Sequence, residues 1–246
     1  MFDYKKVGLY LDFGHGGSDP GSTLYDKTKE SDYNLKIGMK IKALLSPYFK
    51  TIHTTRSTNE TVSLSARTSK MNNLTDNYEH LDVYSFHTNA YNKIANGVEI
   101  CLGINNSTDT IWTEQFLKEY SSKFGIGIRG LTRRKNEEGL DYYWIIKASN
   151  NKCKVKIIEF GFGDNKKDFD ILKSKIDDIA LFTAQKIAGR YGITIEPIND
   201  IKDWQDIIKE VSQYDDVWIS FVKKNHSPTL NLKGLIEKLY WTMPKK

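Results

Sequence analysis

The sequence has few of the residues that restrain a chain covalently or conformationally. It contains two cysteines and five prolines in 246 residues. Cys101 and Cys153 cannot build a disulfide framework, and neither belongs to a Cys-x-x-Cys pair, so the sequence fits a reducing compartment. Both cysteines are predicted to lie in strands.

Long apolar segments are also absent. No stretch approaches the roughly 18 to 20 apolar residues that span a bilayer. The N-terminal segment Met1-Phe-Asp-Tyr-Lys-Lys runs directly into a short apolar strand, without a small-residue cleavage site. The sequence therefore predicts no membrane span and no signal peptide.

The charge is mild, with a formal net value of +5, and no run of like charges stands out. An excess of this size usually reflects solvated lysines, and we favour that interpretation over binding to an anionic polymer such as nucleic acid or a cell wall. A hydrophobic content of 39% is enough for one sizeable core and a small second unit.

Residues 1–192 alternate short apolar runs with helical patterns. This alternation predicts an α/β fold, with an open, mostly parallel twisted sheet and helices on both faces. The predicted strands are 7–11, 49–55, 81–86, 97–103 and 154–160. The predicted helices are 30–48, 64–74, 112–124 and one long closing helix from Leu172 to Ile187. The helix 112–124 carries an aromatic stripe from Trp112 to Phe124, which we interpret as core.

The composition changes after Gly192. Thr194-Ile-Glu-Pro197 is typical of a linker, and three short helices are predicted at about 200–214, 215–224 and 232–241. Three of the five tryptophans lie in this region. Residues 193–246 are therefore predicted to form a small helical unit, near the lower size limit for independent folding, which docks on the first domain or self-associates through its helices.

Four short stretches carry chemically informative residues. They are Asp12-Phe-Gly-His15-Gly-Gly, Lys29-Glu30-Ser-Asp, Ser85-Phe-His87-Thr-Asn-Ala and Ile158-Glu159-Phe-Gly-Phe. The predicted elements place His15, His87 and Glu159 at strand ends and Glu30 in the first turn of a helix. Ligands of open α/β sheets bind outside the carboxyl ends of the strands, so these side chains are expected to converge. Two histidines and a glutamate can hold one zinc ion with a position left open, and a second glutamate can act as base for water.

Each of these residues has a simpler structural explanation when taken alone. A single histidine is more often a hydrogen-bonded structural residue than a ligand, and we interpret His53, His80 and His226 in that way. Glu30 suits the positive end of a helix dipole. Glu159 is the hardest to explain, because a buried carboxylate is costly without a metal or a partner.

Two rival sites remain open at this level. Gly14, Gly16, Gly17 and Gly21 allow a sharp turn, but a phosphate-binding loop would need a Gly-Lys-Ser/Thr ending or a dinucleotide fingerprint, and neither is present. Cys153 lies between two lysines that could lower the pKa of its thiol and make it a nucleophile. Its position at a strand argues against that role, and a chelator compared with a thiol-alkylating reagent would separate the two mechanisms.

The four stretches, in this order and at about these spacings, resemble the zinc-dependent N-acetylmuramoyl-L-alanine amidases of the third amidase family, found in bacterial autolysins and phage endolysins. The resemblance covers about residues 7–192. Subsidiary matches are Asp19-Pro-Gly21, Thr55-Arg56, Val62-Ser-Leu with Arg67, Gly97-Val-Glu99 and Arg129-Gly.

The resemblance implies that His15, Glu30 and His87 are zinc ligands and that Glu159 is the catalytic acid and base. The family cleaves the amide between N-acetylmuramic acid and the first L-alanine of the stem peptide in bacterial peptidoglycan. Phe13 stands where the family usually has proline, and Lys156 with its neighbours replaces a proline-alanine pair, so the substrate groove is expected to differ in shape.

Four further charged residues have less definite predicted roles. Glu99 is assigned a supporting role at the site, with solvent exposure on an alternating strand as the alternative. Arg56, Arg67 and Arg129 are interpreted by default as surface salt bridges. Pairing with carboxylates near the site, or contact with the stem peptide, is the alternative for each arginine.

The expected function is a zinc-dependent peptidoglycan hydrolase, a bacteriolytic phage or prophage endolysin made in the cytoplasm of a bacterial host that acts on the wall after release. No nucleic-acid partner is expected. The alternatives are a zinc peptidase that cuts within the stem peptide and a catalytically silent wall-binding protein on the same scaffold. Residues 193–246 are hypothesised to bind the wall, with a purely structural cap as the equal alternative.

Overall fold

Short apolar runs form the strands of one mixed sheet in the computed structural model, which describes residues 6–196. The strands are β1 Val7–Phe13, β2 Ile52–Thr54, β3 His80–Asn89, β4 Val98–Leu102, β5 Ile128–Thr132 and β6 Cys153–Phe162. Their order across the sheet is β2-β1-β3-β6-β4-β5. The first four in that order are parallel to one another, whereas β4 pairs antiparallel with β6 and parallel with β5. The predicted open, mostly parallel sheet is confirmed.

Helices cover both faces of this sheet. They are α1 Glu30–Leu45, α2 Leu64–Leu74, α3 Thr110–Phe124, α4 Trp144–Lys147, α5 Lys166–Ser174 and α6 Ile176–Gly189. The larger core includes residues of α1, α3 and α6, among them Ile37, Phe116 and Ile179. Met71 and Ile145 bring α2 and α4 into the smaller core on the other face. Among residues 6–196, no helix has the length and apolar character needed to cross a bilayer.

Alternation along the strands assigns each side chain to one of these cores. In β6, Ile158 and Phe160 belong to the larger core, whereas Val155 and Ile157 belong to the smaller one. Successive side chains of a strand point to opposite faces. The side chain of Glu159 therefore lies on the sheet face of the smaller core. Lys156, three residues earlier in β6, lies on the sheet face of the larger core.

The structure differs from the predicted elements at three places. The closing helix is two helices, α5 and α6, because Lys175 leaves the helical conformation at φ −113° and ψ 17°. The edge strand β5 was not predicted, since its residues are exposed or half-buried and show no clear apolar alternation. The four-residue helix α4 is too short to show a period. From Pro197 onward, the predicted helical unit, its self-association and His226 lie outside the described residues.

Two residues that depart from the family pattern are buried in the core. Phe13 is fully buried, and its ring lies against Gly38 of α1, where an added Cβ would come within 2.2 Å of Phe13 Cδ1. Lys156 is 0% exposed. Neither side chain reaches the surface, so neither lines a substrate groove directly, and the difference in groove shape stays a prediction.

Lys156 is the centre of a buried charge cluster that includes Asp82, Asp109, Arg190 and Tyr191. Lys156 Nζ lies 3.0 Å from Asp82 Oδ1 and 3.2 Å from Asp109 Oδ2. Arg190 Nη2 lies 2.7 Å from Asp109 Oδ1, and the Tyr191 hydroxyl donates to Asp82. Burial alone would raise the pKa of Asp82, but Lys156 and Arg190 lower it below its usual value. We call this group the Lys156 cluster.

Candidate metal centre

His15 lies in the turn that directly follows β1. It adopts a φ of 59°, which is uncommon for a residue with a side chain. Its Nδ1 lies 2.9 Å from Asp19 Oδ2, and its Nε2 lies 3.3 Å from Glu30 Oε1. Asp19 therefore fixes the orientation of the ring and directs Nε2 toward Glu30.

Glu30 is the first residue of α1 and is only 4% exposed. Its Oε2 accepts a hydrogen bond from the Ser22 amide at 2.9 Å, and its Oε1 accepts one from Asn34 Nδ2 at 3.2 Å. The amide of Thr88 also donates to Oε1 at 3.3 Å. This buried carboxylate is held in one position by groups from three segments of the chain.

His87 lies near the carboxyl end of β3, and its Nδ1 is 3.0 Å from Glu30 Oε1. Its ring lies directly over Gly14, where an added Cβ would be 2.2 Å from His87 Cε1. Only glycine at position 14 leaves room for the imidazole. The rings of His15 and His87 meet edge to face, with centroids 5.0 Å apart.

The three residues predicted to be ligands thus converge on one point. The two ring nitrogens and the Glu30 oxygen lie within 4.8 Å of one another. Burial alone would lower the pKa of His15, but hydrogen bonds to Glu30 and Asp19 raise it to about 9. Two nitrogens and one carboxylate oxygen are a donor set that suits zinc with an open position. A divalent cation would replace the protons that these groups now share.

Glu159 lies beside this cluster on β6, directly opposite His87 in the parallel pair of β3 and β6. Its Oε2 is shielded from solvent and has no hydrogen-bond partner among residues 6–196. Burial raises its pKa to about 7, with His87 opposing the shift and Glu30 and Glu99 adding to it. A carboxyl group of this kind exchanges a proton near neutral pH, as an acid and base catalyst must.

Two buried arginines hold the turn that carries His15. Arg56 Nη2 donates to the Gly14 carbonyl at 3.0 Å, and Arg67 Nη2 donates to the His15 carbonyl at 2.6 Å. Arg67 Nη1 also lies 2.7 Å from Oδ1 of the buried Asp12. The default interpretation of Arg56 and Arg67 as surface salt bridges was wrong, because carbonyls that point inward from a tight turn require internal donors.

Glu99 supports the site from β4, where it lies opposite Glu159 in the antiparallel pair. It is 1% exposed, so the alternative of solvent exposure is wrong. Asn89 Nδ2 donates to Glu99 Oε2 at 3.1 Å, and Arg129 and Arg134 lie within 3.4 Å of the same carboxylate. The sequence did not single out Arg134 or Asn89, although Asn89 belongs to the stretch that contains His87.

The rival sites have little structural support. Burial raises the pKa of Cys153 to about 11, with a hydrogen bond from the Asn150 backbone and the charge of Lys154 opposing the shift. The amides of the glycine-rich turn are also used internally, since Gly17 donates to Asn59 Oδ1 and Ser18 to Thr61 Oγ1. A buried thiol is a poor nucleophile, and a turn with engaged amides is a poor phosphate site.

His53 and His80 lie apart from the cluster, as the sequence suggested. His53 lies on the edge strand β2, and its Nε2 is 2.9 Å from the Tyr78 hydroxyl. His80 begins β3, at the end opposite His87.

Known proteins are similar to this chain in sequence and in fold. A family model described as N-acetylmuramoyl-L-alanine amidase matches residues 9–188. The probable cell wall amidase LytH of Staphylococcus saprophyticus is 41% identical over 68 residues, which are 27% of this chain and 23% of that protein. The chain therefore aligns with about a quarter of the length of this curated relative.

Solved structures extend the likeness to the whole α/β unit. Cwp6 from Clostridium difficile has 29% identity and a TM-score of 0.62, over 74% of this chain and 29% of that chain. The catalytic domain of CwlV, an N-acetylmuramoyl-L-alanine amidase from Bacillus (Paenibacillus) polymyxa var. colistinus, has 22% identity and a TM-score of 0.61. That match covers 77% of this chain and 99% of the domain. At this identity the second match shows the shared fold alone.

Proposed function

We propose that this chain, which belongs to the N-acetylmuramoyl-L-alanine amidase family through residues 9–188, hydrolyses the amide between N-acetylmuramic acid and L-alanine in bacterial peptidoglycan. One observation carries the proposal. The three donor groups of His15, Glu30 and His87 converge within 4.8 Å, beside a Glu159 oxygen that has no partner among the described residues.

The cofactor in this proposal is a zinc ion held by His15, Glu30 and His87. Zinc with three protein ligands supplies Lewis acidity and lowers the pKa of a bound water toward neutrality. Asp19 keeps Nε2 of His15 directed at the centre, because it engages Nδ1 of the same ring. Gly14 leaves the space that His87 needs.

Glu159 moves the proton in this reaction. As a base it takes the proton of the attacking water, and as an acid it delivers that proton to the alanine nitrogen that leaves. Glu159 pairs with His87 across β6 and β3, and its carboxyl interacts electrostatically with His87 and Glu30, which supports this role. Burial raises the pKa of the Glu159 carboxyl above its usual value, which favours the protonated form that the acid step needs.

Product analysis tests the proposal directly. The full chain, loaded with zinc, is incubated with purified peptidoglycan, and the soluble products are analysed by mass spectrometry and labelling of free amines. An amidase releases peptides with a new amino terminus on L-alanine and leaves muramic acid intact. A new terminus between two amino acids would instead indicate a zinc peptidase. Wall binding without any release would indicate a silent scaffold.

Inhibitors distinguish the metal mechanism from a cysteine mechanism. A chelator is expected to stop the release of peptides, and zinc is expected to restore it, whereas alkylation of thiols leaves the rate unchanged. Loss of activity on alkylation alone would point to Cys153 and contradict the metal mechanism.

The biological setting remains a proposal from the sequence. We infer that a bacterial host makes the enzyme in its cytoplasm and that a phage or prophage encodes it as an endolysin that reaches the wall after release. Wall binding by residues 193–246 is tested by sedimentation of the full chain, and of a chain that ends at residue 192, with purified walls. Equal sedimentation would favour the structural cap.

A further inference from the structure

A charged group lies next to Glu159 that the proposed reaction does not use. β4 runs antiparallel to β6 and places Glu99 opposite Glu159. Paired residues of neighbouring strands project from the same face, so the two carboxylates are neighbours. Glu99 is 1% exposed and holds two guanidinium groups, those of Arg129 and Arg134.

The two guanidinium groups are fixed in place and open to solvent. Arg129 Nε lies 3.4 Å from Glu99 Oε2, and its Cζ lies 5.1 Å from the centroid of the Phe162 ring. Arg134 Nη2 lies 3.2 Å from Glu99 Oε1, and its Cζ lies 5.9 Å from the Tyr143 ring centroid. The side chains of Arg129 and Arg134 nevertheless remain 41% and 43% exposed. We call these two residues the arginine pair.

The charges of this group do not cancel. Two guanidinium groups share the one buried carboxylate of Glu99, so these three side chains together carry a net charge of +1. Each guanidinium has five N–H donors, and the contact with Glu99 uses only one side of each fork. Arg133 differs, because its Nη2 donates to the Asn106 carbonyl and to Thr110 Oγ1.

We propose that the arginine pair is a carboxylate-binding subsite that holds an acidic group of the stem peptide close to the amide being cleaved. Arginine binds carboxylates through two parallel hydrogen bonds, which gives both affinity and orientation. The rings of Phe162 and Tyr143 and the carboxylate of Glu99 preorganise the two forks, so little side-chain freedom is lost on binding. The subsite makes the enzyme selective for peptides whose second residue has a free α-carboxylate rather than an amide. This inference rests on the proposed function.

The test compares two soluble substrates that differ at one group. The full chain with zinc is given N-acetylmuramoyl-L-alanyl-D-isoglutamate and the corresponding D-isoglutamine compound. We expect kcat/KM to be about 10-fold higher for the acid, mainly through KM, since an ionic hydrogen bond outweighs a neutral one. Arg129→Gln and Arg134→Gln should each reduce this preference to less than about 3-fold.

Arg133→Gln is the matched control, because it removes a neighbouring guanidinium that lies outside the pair, and it should keep the full preference. Arg134→Lys retains the charge without the fork and should show an intermediate preference, with the circular dichroism of the wild type. Equal rates on the two substrates, or an unchanged preference in both glutamine variants, would overturn the subsite.

A binding measurement separates this proposal from the proposed function. Calorimetry is carried out with the two product peptides, L-alanyl-D-isoglutamate and L-alanyl-D-isoglutamine. Tighter binding of the acid that depends on the arginine pair, without cleavage of either substrate, supports the subsite and contradicts the amidase. Cleavage of both substrates without any preference contradicts the subsite alone.

Discussion

Two clusters of buried charge lie along the same two strands, β3 and β6, on opposite faces of the sheet. In the Lys156 cluster, the cation lies between Asp82 and Asp109, and Arg190 provides a second cation. In the metal centre, the groups of His15, Glu30 and His87 face one another, and Glu159 Oε2 has no partner among residues 6–196. The charges of the first cluster are paired within the protein, whereas those of the second form the candidate metal centre.

We interpret the first cluster as charge that supports the fold and the second as charge that serves the proposed reaction. A buried ion pair that has all its hydrogen bonds contributes little net stability, but the loss of one partner leaves an isolated buried charge and is costly. Glu159 is half-buried, and its shielded Oε2 carries a desolvation cost that no described partner offsets, which agrees with the role proposed for it. The following changes test the distinction.

The largest expected effect is on catalysis. Glu159→Gln should lower kcat by about 10²- to 10⁴-fold, because it removes the acid and base while leaving the zinc ligands in place. Zinc content by atomic absorption should stay at the wild-type value, and the melting temperature should not fall. Glu79→Gln is the control, since that glutamate is exposed and pairs only with Lys6 among the described residues. Near-normal turnover by Glu159→Gln would refute the assigned role.

The opposite pattern is expected for the Lys156 cluster. Lys156→Met should reduce the free energy of unfolding by about 3–5 kcal/mol, because it leaves the buried Asp82 and Asp109 with only the half-buried Arg190 as a cation. Urea unfolding measures this loss, and activity per folded molecule should be unchanged. Lys154→Met serves as the control, since its ammonium donates to the exposed Asn151 carbonyl and should matter by less than about 0.5 kcal/mol.

Zinc is expected to stabilise the folded protein through the candidate metal centre. Zinc at about 100 times its dissociation constant should stabilise the wild type by about 2.7 kcal/mol, because only the folded state presents the three ligands. His87→Ala should abolish this shift in calorimetric melting temperature, and His53→Ala should preserve it. A zinc-dependent shift of the same size in His87→Ala would remove His87 from the centre.

The smallest expected effect concerns pH. The pKa of Asp82 in the folded state is below 3.8, so the stability that its charge provides is present above the unfolded pKa and is lost as pH falls through the folded one. The gap in unfolding free energy between the wild type and Asp82→Asn should therefore narrow as the pH falls below about 4, the usual pKa of an aspartate. A gap that is independent of pH would show that Asp82 is not ionised in the folded protein.

Much of the metal centre could be predicted from the sequence because its residues follow apolar strands. The runs before His87 and Glu159 mark the strand ends, and the parallel arrangement brings those ends to one edge. Glu30 was placed correctly because a helical period begins at that residue. Apolar runs and helical periodicity, which are local features of the sequence, were therefore enough to locate these residues.

The supporting residues could not be predicted in the same way. Arg56 and Arg67 donate to carbonyls of the turn at His15, and backbone carbonyls have no sequence signature. Lys156 is buried because Asp82 and Asp109, which are distant in sequence, meet it in space. A charged residue appears exposed by default until its partners are known.

The separation of the central strands along the sequence also affects when the candidate metal centre forms during folding. Ser85 of β3 donates a hydrogen bond to Asp12 of β1 across 73 positions of sequence, and β6 joins β3 only after a further long segment. Closing loops of this length costs entropy before any contact compensates for it, which makes such topologies slow to fold. During synthesis, a nascent chain that ends between β5 and β6 already contains His15 and His87 but lacks the strand that carries Glu159. If the proposed function holds, the candidate centre assembles late in folding, and hydrolysis is expected only after β6 has joined the sheet.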